Sequence, residues 1–248
     1  MPSEPFLSII IPAYNEAARL EETVYRIFGY CQSMGQPFEM IVVDDGSSDD
    51  TPRLVQSMQS GIKNLILISC ASNRGKGYAV RLGIREAQGK YILFTDADLS
   101  TPIEELDGFL SCLENGFPMV IATRKHPAAK ILQQQPVWRE SMGKVFTEIS
   151  NLILGLRVSD FTCGFKAFQR DVAKKLFRMQ RIDRWAFDSE LLFLARYCGY
   201  RVAELPVSWS NSADTKVRIF RDTITSFLAL WKIRWNAMTG KYGRRLRS

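Results

Sequence analysis

Runs of apolar residues alternate with amphipathic segments over the first 125 positions of the chain. The apolar runs show no alternation with polar residues and predict buried strands at Ser8–Ile11, Met40–Val43, Leu65–Ser69, Tyr91–Thr95 and Met119–Ala122. Between these runs, apolar residues recur at helical spacing and predict helices at Glu16–Ser33, Asp50–Ser60 and Lys76–Ala87, with another helix starting at Pro102. Buried strands separated by such helices indicate an α/β fold whose mainly parallel sheet is covered by helices on both faces.

The pattern changes after residue 123. Residues 124–140 contain two prolines, three glutamines and four basic residues, which predicts a loop or lid, and a helix is expected at about 141–155. The remaining segments predict a strand at Thr162–Phe168, a helix from there to Met179, a helix near Asp188–Cys198 and a strand at Arg201–Val207. We find no internal repeat and no flexible linker, so we expect a single domain spanning residues 1–248.

Charge is distributed unevenly along the chain. The 248 residues carry a net charge of +7, with 33 Lys and Arg against 26 Asp and Glu. Residues 223–248 contain no acid and account for +6 through Lys232, Arg234, Lys241, Arg244, Arg245 and Arg247, which leaves +1 for the first 222 residues. A basic tail on a nearly neutral body predicts an anionic membrane surface as the partner, and not a nucleic acid, which favours basic residues spread over a folded face.

Composition excludes several classes of site. The single histidine, His126, rules out multi-histidine metal sites and argues against a histidine-centred triad. Five widely spaced cysteines without a C-x-x-C pair argue against a disulfide framework or a zinc site and suit a reducing compartment. Because no apolar run reaches the length needed to cross a bilayer, and Phe6–Ala13 reads as a strand and not a signal peptide, we expect a cytoplasmic location without a transmembrane segment.

Polar and acidic residues follow three of the predicted strands, at Tyr14-Asn15-Glu16, Asp44-Asp45 and Asp96-Ala97-Asp98. Ligands bind at the carboxyl ends of strands in such sheets. Asp96 and Asp98 lie on the same side of the chain, and hard cations such as Mg²⁺ or Mn²⁺ favour one or two carboxylates together with phosphate oxygens. Capping of a turn is the alternative explanation for an isolated Asp-x-Asp. The absence of G-x-G-x-x-G after the first strand excludes a dinucleotide-binding oxidoreductase.

Four motifs occur in order at these strand ends: Ile9-Ile10-Ile11-Pro12-Ala13-Tyr14-Asn15-Glu16, Val42-Val43-Asp44-Asp45-Gly46-Ser47-Ser48-Asp49, Asn73-Arg74-Gly75-Lys76-Gly77 and Thr95-Asp96-Ala97-Asp98. Together they resemble the inverting family-2 glycosyltransferases of GT-A fold. Three further segments, Leu99–Ile103, Asp160–Lys166 and Arg184–Glu190, resemble the dolichyl-phosphate β-glucosyltransferase branch, whose near relatives are the polyprenyl-phosphate mannose synthases. The resemblance covers roughly residues 6–240.

This resemblance implies transfer of glucose from UDP-glucose to a polyprenyl phosphate, with inversion, a Mg²⁺ or Mn²⁺ cofactor, and a peripheral position on the cytoplasmic face of a membrane. It divides the chain into a nucleotide-binding half at 1–123, an acceptor half at 124–218 and an amphipathic helix with a basic tail at 219–248. Three alternatives stay open: the same reaction with GDP-mannose, a soluble enzyme acting on a saccharide or protein hydroxyl, and a non-catalytic module that binds nucleotide sugars.

Resemblance also implies the donor site. Nucleotide-sugar-binding positions are Pro12, Ala13, Tyr14, Glu16, Asp44, Asp45, Lys76, Asp96 and Ala97. The cation would be held by Asp98, with Asp96 on the metal or the ribose. From the residues alone, ordinary turns and helix starts explain Glu16 and Asp45 equally well. A solvated helix face would likewise explain Lys76 with its basic neighbours Arg74 and Arg81.

Catalytic acids implied by the family are Asp98, Asp160, Asp188 and Glu190, and acceptor-phosphate positions are Arg124, Arg139, Lys216 and Arg218. The alternative to a catalytic role is that Asp188 and Glu190 are first-turn acids of a helix. The alternative for the four basic residues is that they are exposed loop charges. A phosphate acceptor removes the need for a general base, because a phosphate monoester is mostly dianionic at neutral pH. A hydroxyl acceptor would need one, with Asp188 or Asp160 as the candidates.

Near the end of the chain, apolar residues recur at steps of three and four from Phe220, at Ile224, Phe227, Leu228, Trp231, Trp235 and Met238. This spacing predicts an amphipathic helix bounded by Asp222 and Lys241. The helix either packs on its own domain or lies in a membrane interface with its tryptophans at headgroup level and the basic tail on anionic lipid.

Overall fold

The computed structural model describes residues 4–211 and 219–243, apart from the side chains of Val137, Arg139 and residues 219–222. Nine strands lie at β1 (Leu7–Ala13), β2 (Phe38–Asp44), β3 (Leu65–Ser69), β4 (Tyr91–Thr95), β5 (Met119–Thr123), β6 (Lys130–Gln133), β7 (Phe165–Gln169), β8 (Val202–Pro206) and β9 (Ser208–Ser210) within this described part. Its α-helices are α1 (Leu20–Ser33), α2 (Thr51–Met58), α3 (Lys76–Glu86), α4 (Leu106–Glu114), α5 (Val137–Leu154), α6 (Arg170–Met179), α7 (Phe187–Tyr197) and α8 (Ile219–Met238), and a 3₁₀ turn at Ile103–Glu105 precedes α4.

Seven strands form one sheet in the order β3-β2-β1-β4-β7-β5-β8. All of its pairings are parallel except those of β7, which runs antiparallel between β4 and β5. Strands β1, β2 and β4 are almost wholly buried, as expected for a sheet covered on both sides. The predicted α/β architecture with a mainly parallel sheet is therefore confirmed.

Two layers of helices bury the two faces of this sheet. On one face, apolar residues of α1, α2 and α4 pack against β1, β2 and β4. On the other face, residues of α3, α5, α6, α7 and α8 form a second core with the buried side chains that the same strands direct to that face. The close approach of α3 requires a glycine, because a Cβ on Gly83 would overlap Ile10 Cγ2 and lie 3.1 Å from Val43 Cγ2.

Several predicted boundaries shift. Strand β1 continues through Pro12 to Ala13, and α1 begins at Leu20, four residues after the predicted Glu16. The segment between them is instead a loop held by hydrogen bonds to residues 47–51. Within the predicted loop at 124–140, β6 pairs in parallel with β9, and α5 begins at Val137 and not at 141.

The packing of α3 on the sheet gives a test of the fold. Gly83→Ala should lower the free energy of unfolding by roughly 1–3 kcal/mol, because the added methyl group meets Ile10 and Val43 in a filled core. Urea unfolding measures this change. The matched control is Gly29→Ala on the exposed side of α1, where a Cβ meets nothing within 4 Å. The control should gain about 0.5–1 kcal/mol. Equal stabilities for the two variants would contradict this packing.

Candidate active site

Parallel pairing brings the strand-end motifs to one edge of the sheet. Strands β1, β2, β4 and β5 all end at this edge, so Tyr14, Asp45, Asp96 and Arg124, which follow these strands, lie along it. Strand β7 runs the other way, and its first residue, Phe165, pairs with Thr95 at the end of β4. The segment before β7 therefore joins the same edge, which we call the acidic edge (residues 14–16, 44–47, 74–77, 96–101, 124, 160–164 and 185–188).

The first turn of this edge is braced by the turn after β2. Asn15 adopts a left-handed backbone conformation with φ of 55°. Its backbone N–H donates to Ser47 Oγ at 2.8 Å, and its side-chain Oδ1 accepts from the Ser48 N–H at 2.8 Å. The Glu16 carboxylate pairs with Arg19, whereas the Tyr14 side chain is 37% exposed. Tyr14 is thus presented to the edge, and Glu16 is engaged within its own turn.

Asp44 and Asp45 have different surroundings, although both are 3% exposed. Asp44 Oδ1 accepts from the Ser47 N–H at 3.0 Å and closes its own turn. Asp45 instead accepts from the backbone N–H groups of Arg74 at 2.9 Å and Gly75 at 2.7 Å, and so ties the end of β2 to the start of α3. Burial raises the pKa of Asp45 although these two N–H groups oppose the shift.

Lys76 is directed at the acidic edge. Its ammonium pairs with the Asp96 carboxylate and lies 5.8 Å from the centre of the Trp185 ring. Burial alone would lower the pKa of Lys76, but the charges of Asp96, Asp188 and Asp98 outweigh it and raise the pKa. A solvated helix face is therefore the wrong description of Lys76.

The side chains of Arg74 and Arg81, by contrast, both pair with Asp183, which is not part of this edge, at 3.6 Å and 2.7 Å. No ion pair joins either side chain to an acid of the edge in the described part of the chain, whereas the Lys76 ammonium pairs with Asp96.

Asp96 and Asp98 lie on a tight loop after β4. The Asp96 carboxylate packs so closely on Gly164 that a Cβ there would overlap it. Asp98 Oδ1 accepts from the Ser100 N–H at 3.0 Å, and Leu99 between them has a φ of 44°. Ala97 is buried, and its carbonyl accepts from Thr23 Oγ1 at 2.7 Å.

The donor set suits a divalent cation that completes its shell with other ligands. Within the described residues no group of three or more His, Cys, Asp or Glu side chains is arranged to hold a metal ion. Asp98 Oδ2 accepts no hydrogen bond from the described residues. Asp96 and Asp98 therefore match the way Mg²⁺ or Mn²⁺ binds, through one or two carboxylates together with phosphate oxygens and waters. The residues present fit such an ion only together with a phosphate ligand.

Arg124 and Asp160 form a two-pronged ion pair. Arg124 Nε donates to Asp160 Oδ2 at 2.7 Å, and Nη2 donates to Oδ1 at 2.8 Å and to Thr162 Oγ1 at 2.9 Å. The guanidinium carbon lies 5.1 Å from the centre of the Trp209 ring. Burial alone would raise the pKa of Asp160, but the Arg124 charge and hydrogen bonds hold it well below its usual range. Asp160 is fully buried and its charge is fixed.

Asp188 also forms a buried ion pair, with Lys166. Lys166 Nζ donates to Asp188 Oδ1 at 2.6 Å and to the carbonyls of Cys163 at 2.7 Å and Phe161 at 3.1 Å. Asp188 is 4% exposed, and burial raises its pKa although Lys166 and Lys76 oppose the shift. Asp188 therefore belongs to the edge as a buried carboxylate in an ion pair with Lys166.

Glu190, a catalytic acid implied by the family resemblance, lies inside the fold. It is fully buried, and its carboxylate accepts from the backbone N–H groups of Arg181 and Ile182 and from Tyr242 Oη at 2.5 Å. These donors connect Glu190 to the loop before α7 and to the segment after α8. Glu190 therefore anchors these two segments, and its catalytic role stays a prediction.

Three acceptor-phosphate candidates are not located by the structure. The side chain of Arg139 and the whole of Lys216 and Arg218 lie outside the described residues.

The sequence alone assigned no role to Lys166, Thr162 or Trp209. In the structure Lys166 donates to Asp188, Thr162 accepts from Arg124, and the Trp209 ring lies next to the Arg124 guanidinium. The lysine within the apolar run Phe165–Phe168 was the available signal, since a charge inside a buried strand needs a partner.

The sheet order and the acidic edge define a nucleotide-diphospho-sugar transferase fold of GT-A type, and solved structures share it. A mannosyltransferase from Pyrobaculum calidifontis, in complex with GDP-Man and Mn²⁺, superposes with a TM-score of 0.62 at 20% identity, covering 96% of this chain and 65% of its own. Glucosyl-3-phosphoglycerate synthase from Mycobacterium tuberculosis, in complex with UDP, gives a TM-score of 0.65 at 20% identity, covering 91% and 80%.

The sequence matches the family description "Glycosyl transferase family 2" over residues 8–177. Dolichyl-phosphate beta-glucosyltransferase of Homo sapiens is 30% identical over 249 residues, covering 95% of this chain and 77% of its own. The protein of the same name from Drosophila melanogaster is 34% identical over 227 residues, covering 86% and 70%. One from Trichomonas vaginalis is 33% identical over 228 residues, covering 88% and 68%. The chain belongs to glycosyltransferase family 2, and it is a glycosyltransferase.

The Arg124–Asp160 pair predicts a pH-dependent stability. Because its folded pKa lies below the unfolded value of about 3.9, Asp160 contributes stability at neutral pH that is lost as the pH falls below about 4. Arg124→Met leaves a buried carboxylate alone and should cost roughly 3–5 kcal/mol at pH 7. Urea unfolding between pH 7 and pH 4 should show this deficit shrinking on acidification, because the unpaired acid can take up a proton.

Arg124→Met with Asp160→Asn is the control, since it removes both charges and should recover part of the loss. A deficit in Arg124→Met that stays constant with pH would contradict the assignment.

Proposed function

We propose that this protein transfers glucose from UDP-glucose to a polyprenyl phosphate, with inversion, at a membrane surface. Support for the donor and acceptor comes from the relatives named dolichyl-phosphate beta-glucosyltransferase, which match most of the chain. The single observation that carries the choice of acceptor is that both candidate general bases, Asp160 and Asp188, are buried in ion pairs.

The acceptor argument follows from the chemistry of the attacking atom. A sugar or protein hydroxyl needs a base to remove its proton, and a base must reach that proton. Asp160 is fully buried against Arg124, and Asp188 is enclosed with Lys166. A phosphate monoester attacks without losing a proton, because it is already mostly dianionic at neutral pH. The geometry therefore favours a phosphate acceptor over a hydroxyl acceptor.

The proposed reaction is a single displacement at C1 of the glucose. An oxygen of the acceptor phosphate forms a bond to C1 while the bond from C1 to the β-phosphate oxygen of UDP breaks, and that electron pair leaves with UDP. Attack on the face opposite the leaving group inverts the configuration at C1. No proton transfer is needed for the charges to balance.

Six residues of the acidic edge have a proposed part in this step. Asp96 and Asp98 would hold Mg²⁺ or Mn²⁺, which neutralises charge on the leaving diphosphate when bound. Lys76 is proposed to contact the diphosphate through its ammonium, and Tyr14 and Asp45 are proposed to contact the nucleoside. Arg124 Nη1, which donates to no described residue, is available to the acceptor phosphate. Arg139, Lys216 and Arg218 remain proposals for the same role.

A second donor is worth testing, because one structural neighbour is a mannosyltransferase bound to GDP-Man and Mn²⁺. The donor is therefore proposed as UDP-glucose, with GDP-mannose as the alternative.

Helix α8 supports the proposed membrane position. Its inner side is buried through Leu230, Ile233 and Asn236, and Phe227 packs 5.4 Å from Phe146 of α5, ring centre to ring centre. Its outer side exposes a row of large apolar residues, which are Ile224, Leu228, Trp231, Trp235 and Met238. No described helix has the length and apolar character needed to cross a bilayer. The helix thus combines both sequence expectations, packing on the domain and offering an apolar face.

The occupant we propose for this face is an anionic lipid surface on the cytoplasmic side. Trp231 and Trp235 are 64% and 59% exposed, and tryptophan favours the headgroup region. Lys232, Arg234 and Lys241 are exposed beside them, and residues 223–248 contain no acid. A polyprenyl phosphate presents its head group at that same surface, so the helix would bring the acidic edge to its acceptor.

A donor-by-acceptor panel tests the proposed reaction. Purified protein with Mg²⁺ or Mn²⁺ should transfer glucose from UDP-glucose to a short polyprenyl phosphate, and not to the corresponding polyprenol or to a free saccharide. Product formation is followed by mass spectrometry, and its anomeric configuration by NMR. Asp98→Ala should lower turnover by about 10²-fold or more, since it removes a ligand of the proposed cation.

The control is wild-type protein with EDTA, which should lose activity to the same extent as Asp98→Ala. Transfer to a hydroxyl acceptor, or full turnover with EDTA, would overturn the acceptor or the metal assignment respectively. Preference for GDP-mannose would change the donor alone.

Liposome sedimentation tests the role of α8. Trp231→Ser with Trp235→Ser should weaken binding to vesicles of anionic phospholipid without altering the melting temperature, because both rings are exposed. Raising the salt should weaken wild-type binding, since it screens the basic residues. Tyr25→Ser is the matched control, because Tyr25 is also an exposed aromatic but belongs to α1 on the opposite face of the sheet. Equal loss in the control, or no wild-type binding, would refute this role.

A further inference from the structure

A cavity of about 870 Å³ opens between α3 and α6, outside the acidic edge. Its floor is apolar and includes Leu82, Ile84 and Phe177. The loop between α6 and α7 closes one end with Gln180, whose Nε2 donates to the carbonyls of Gly77 and Ile182. The volume lies within the usual range for sites that bind small molecules. None of its lining residues belongs to the acidic edge.

The walls of the cavity are strongly basic. Arg81 and Arg85 of α3 face Lys174 and Arg178 of α6, and Arg181 follows on the closing loop. Asp183 is the single acid that lines the cavity, and it pairs with Arg81 at 2.7 Å. Five cations therefore share this space with one carboxylate.

Three of these cations have no ion-pair partner among the described residues. Arg178 and Arg181 are exposed, and no side-chain hydrogen bond or ion pair engages either of them in the described part of the chain. Lys174 Nζ donates to the Arg85 carbonyl at 2.6 Å and reaches no carboxylate. Like charges held this close repel one another, and a bound anion would relieve that repulsion.

Lys174 shows the effect of this environment. Burial lowers the pKa of its ammonium, and the charges of Arg170 and Arg178 lower it further although Glu86 and Glu39 oppose them. Lys174 is thus a partly desolvated cation with carboxylates and other cations both close to it.

We propose that this cavity is a second phosphate-binding site, separate from the nucleotide-sugar site, for a ligand that carries at least two phosphate charges. Guanidinium groups suit phosphate because their planar N–H donors match its oxygens in pairs. A soluble diphosphate and the phosphomonoester head group of a lipid share this chemistry. The proposal does not depend on the transferase reaction, because binding is measured without turnover.

Isothermal titration with sodium pyrophosphate at low salt tests the site, with EDTA present so that the acidic edge has no cation to hold a diphosphate. Wild-type protein should bind, and Arg178→Gln with Arg181→Gln should bind about 10- to 100-fold more weakly, since each substitution removes a charged donor. Both side chains are exposed and unpartnered among the described residues, so melting temperatures should agree. Lys63→Gln with Arg157→Gln is the matched control, because it removes two exposed charges elsewhere.

A vesicle arm separates the two ligand sources. Phosphatidylcholine vesicles with phosphatidic acid are compared with vesicles of equal charge made with phosphatidylserine. A lipid head group as ligand predicts that the Arg178 and Arg181 variant loses its preference for phosphatidic acid. A soluble ligand predicts that only pyrophosphate binding falls. No pyrophosphate binding by wild type, or equal binding by the variant and its control, would overturn the proposal.

Discussion

The buried ammonium of Lys166 connects the segments that form the candidate active site. A lone charge inside a sheet is costly, and its cost is offset here by Asp188 and by the carbonyls of Phe161 and Cys163. These partners belong to the loop before β7 and to the start of α7. Gly164 of that loop packs on the Asp96 carboxylate. The position of Lys166 therefore also affects the placement of the acidic residues after β4. The antiparallel insertion of β7 is what delivers this lysine to the middle of the sheet.

Ion pairs already engage most of the charges around Asp96 and Asp98 before any ligand arrives. Asp96, Asp98, Asp160 and Asp188 face Lys76, Lys166 and Arg124, and three of the four acids are in close ion pairs. Asp98 has no basic partner at ion-pair distance among the described residues. In the proposed reaction the diphosphate would add negative charge to this edge, and a divalent cation held by Asp96 and Asp98 would offset the resulting repulsion.

Local patterns in the sequence predicted the strands of the seven-stranded sheet, most helices and the gathering of motifs at one edge, because buried parallel strands are apolar and end in polar turns. They could not predict that β7 runs antiparallel or that Lys166 meets Asp188, since these depend on contacts between distant segments. Glu190 shows the same limit: its motif does not reveal that Tyr242, 52 residues further on, donates to its carboxylate. Strand β6 escaped prediction because it pairs only with the short β9.

The position of β7 also bears on how the chain is made. Strand β4 ends at Thr95, but its neighbour on one side is completed only at Gln169. At typical rates of protein synthesis, about 5–20 residues per second, the intervening 74 residues take roughly 4–15 seconds to add. For that interval β4, which is wholly buried in the complete fold, has no β7 to pair with, and an unpaired strand edge is the kind that pairs with other chains. The segment that completes the site therefore also covers this edge of β4.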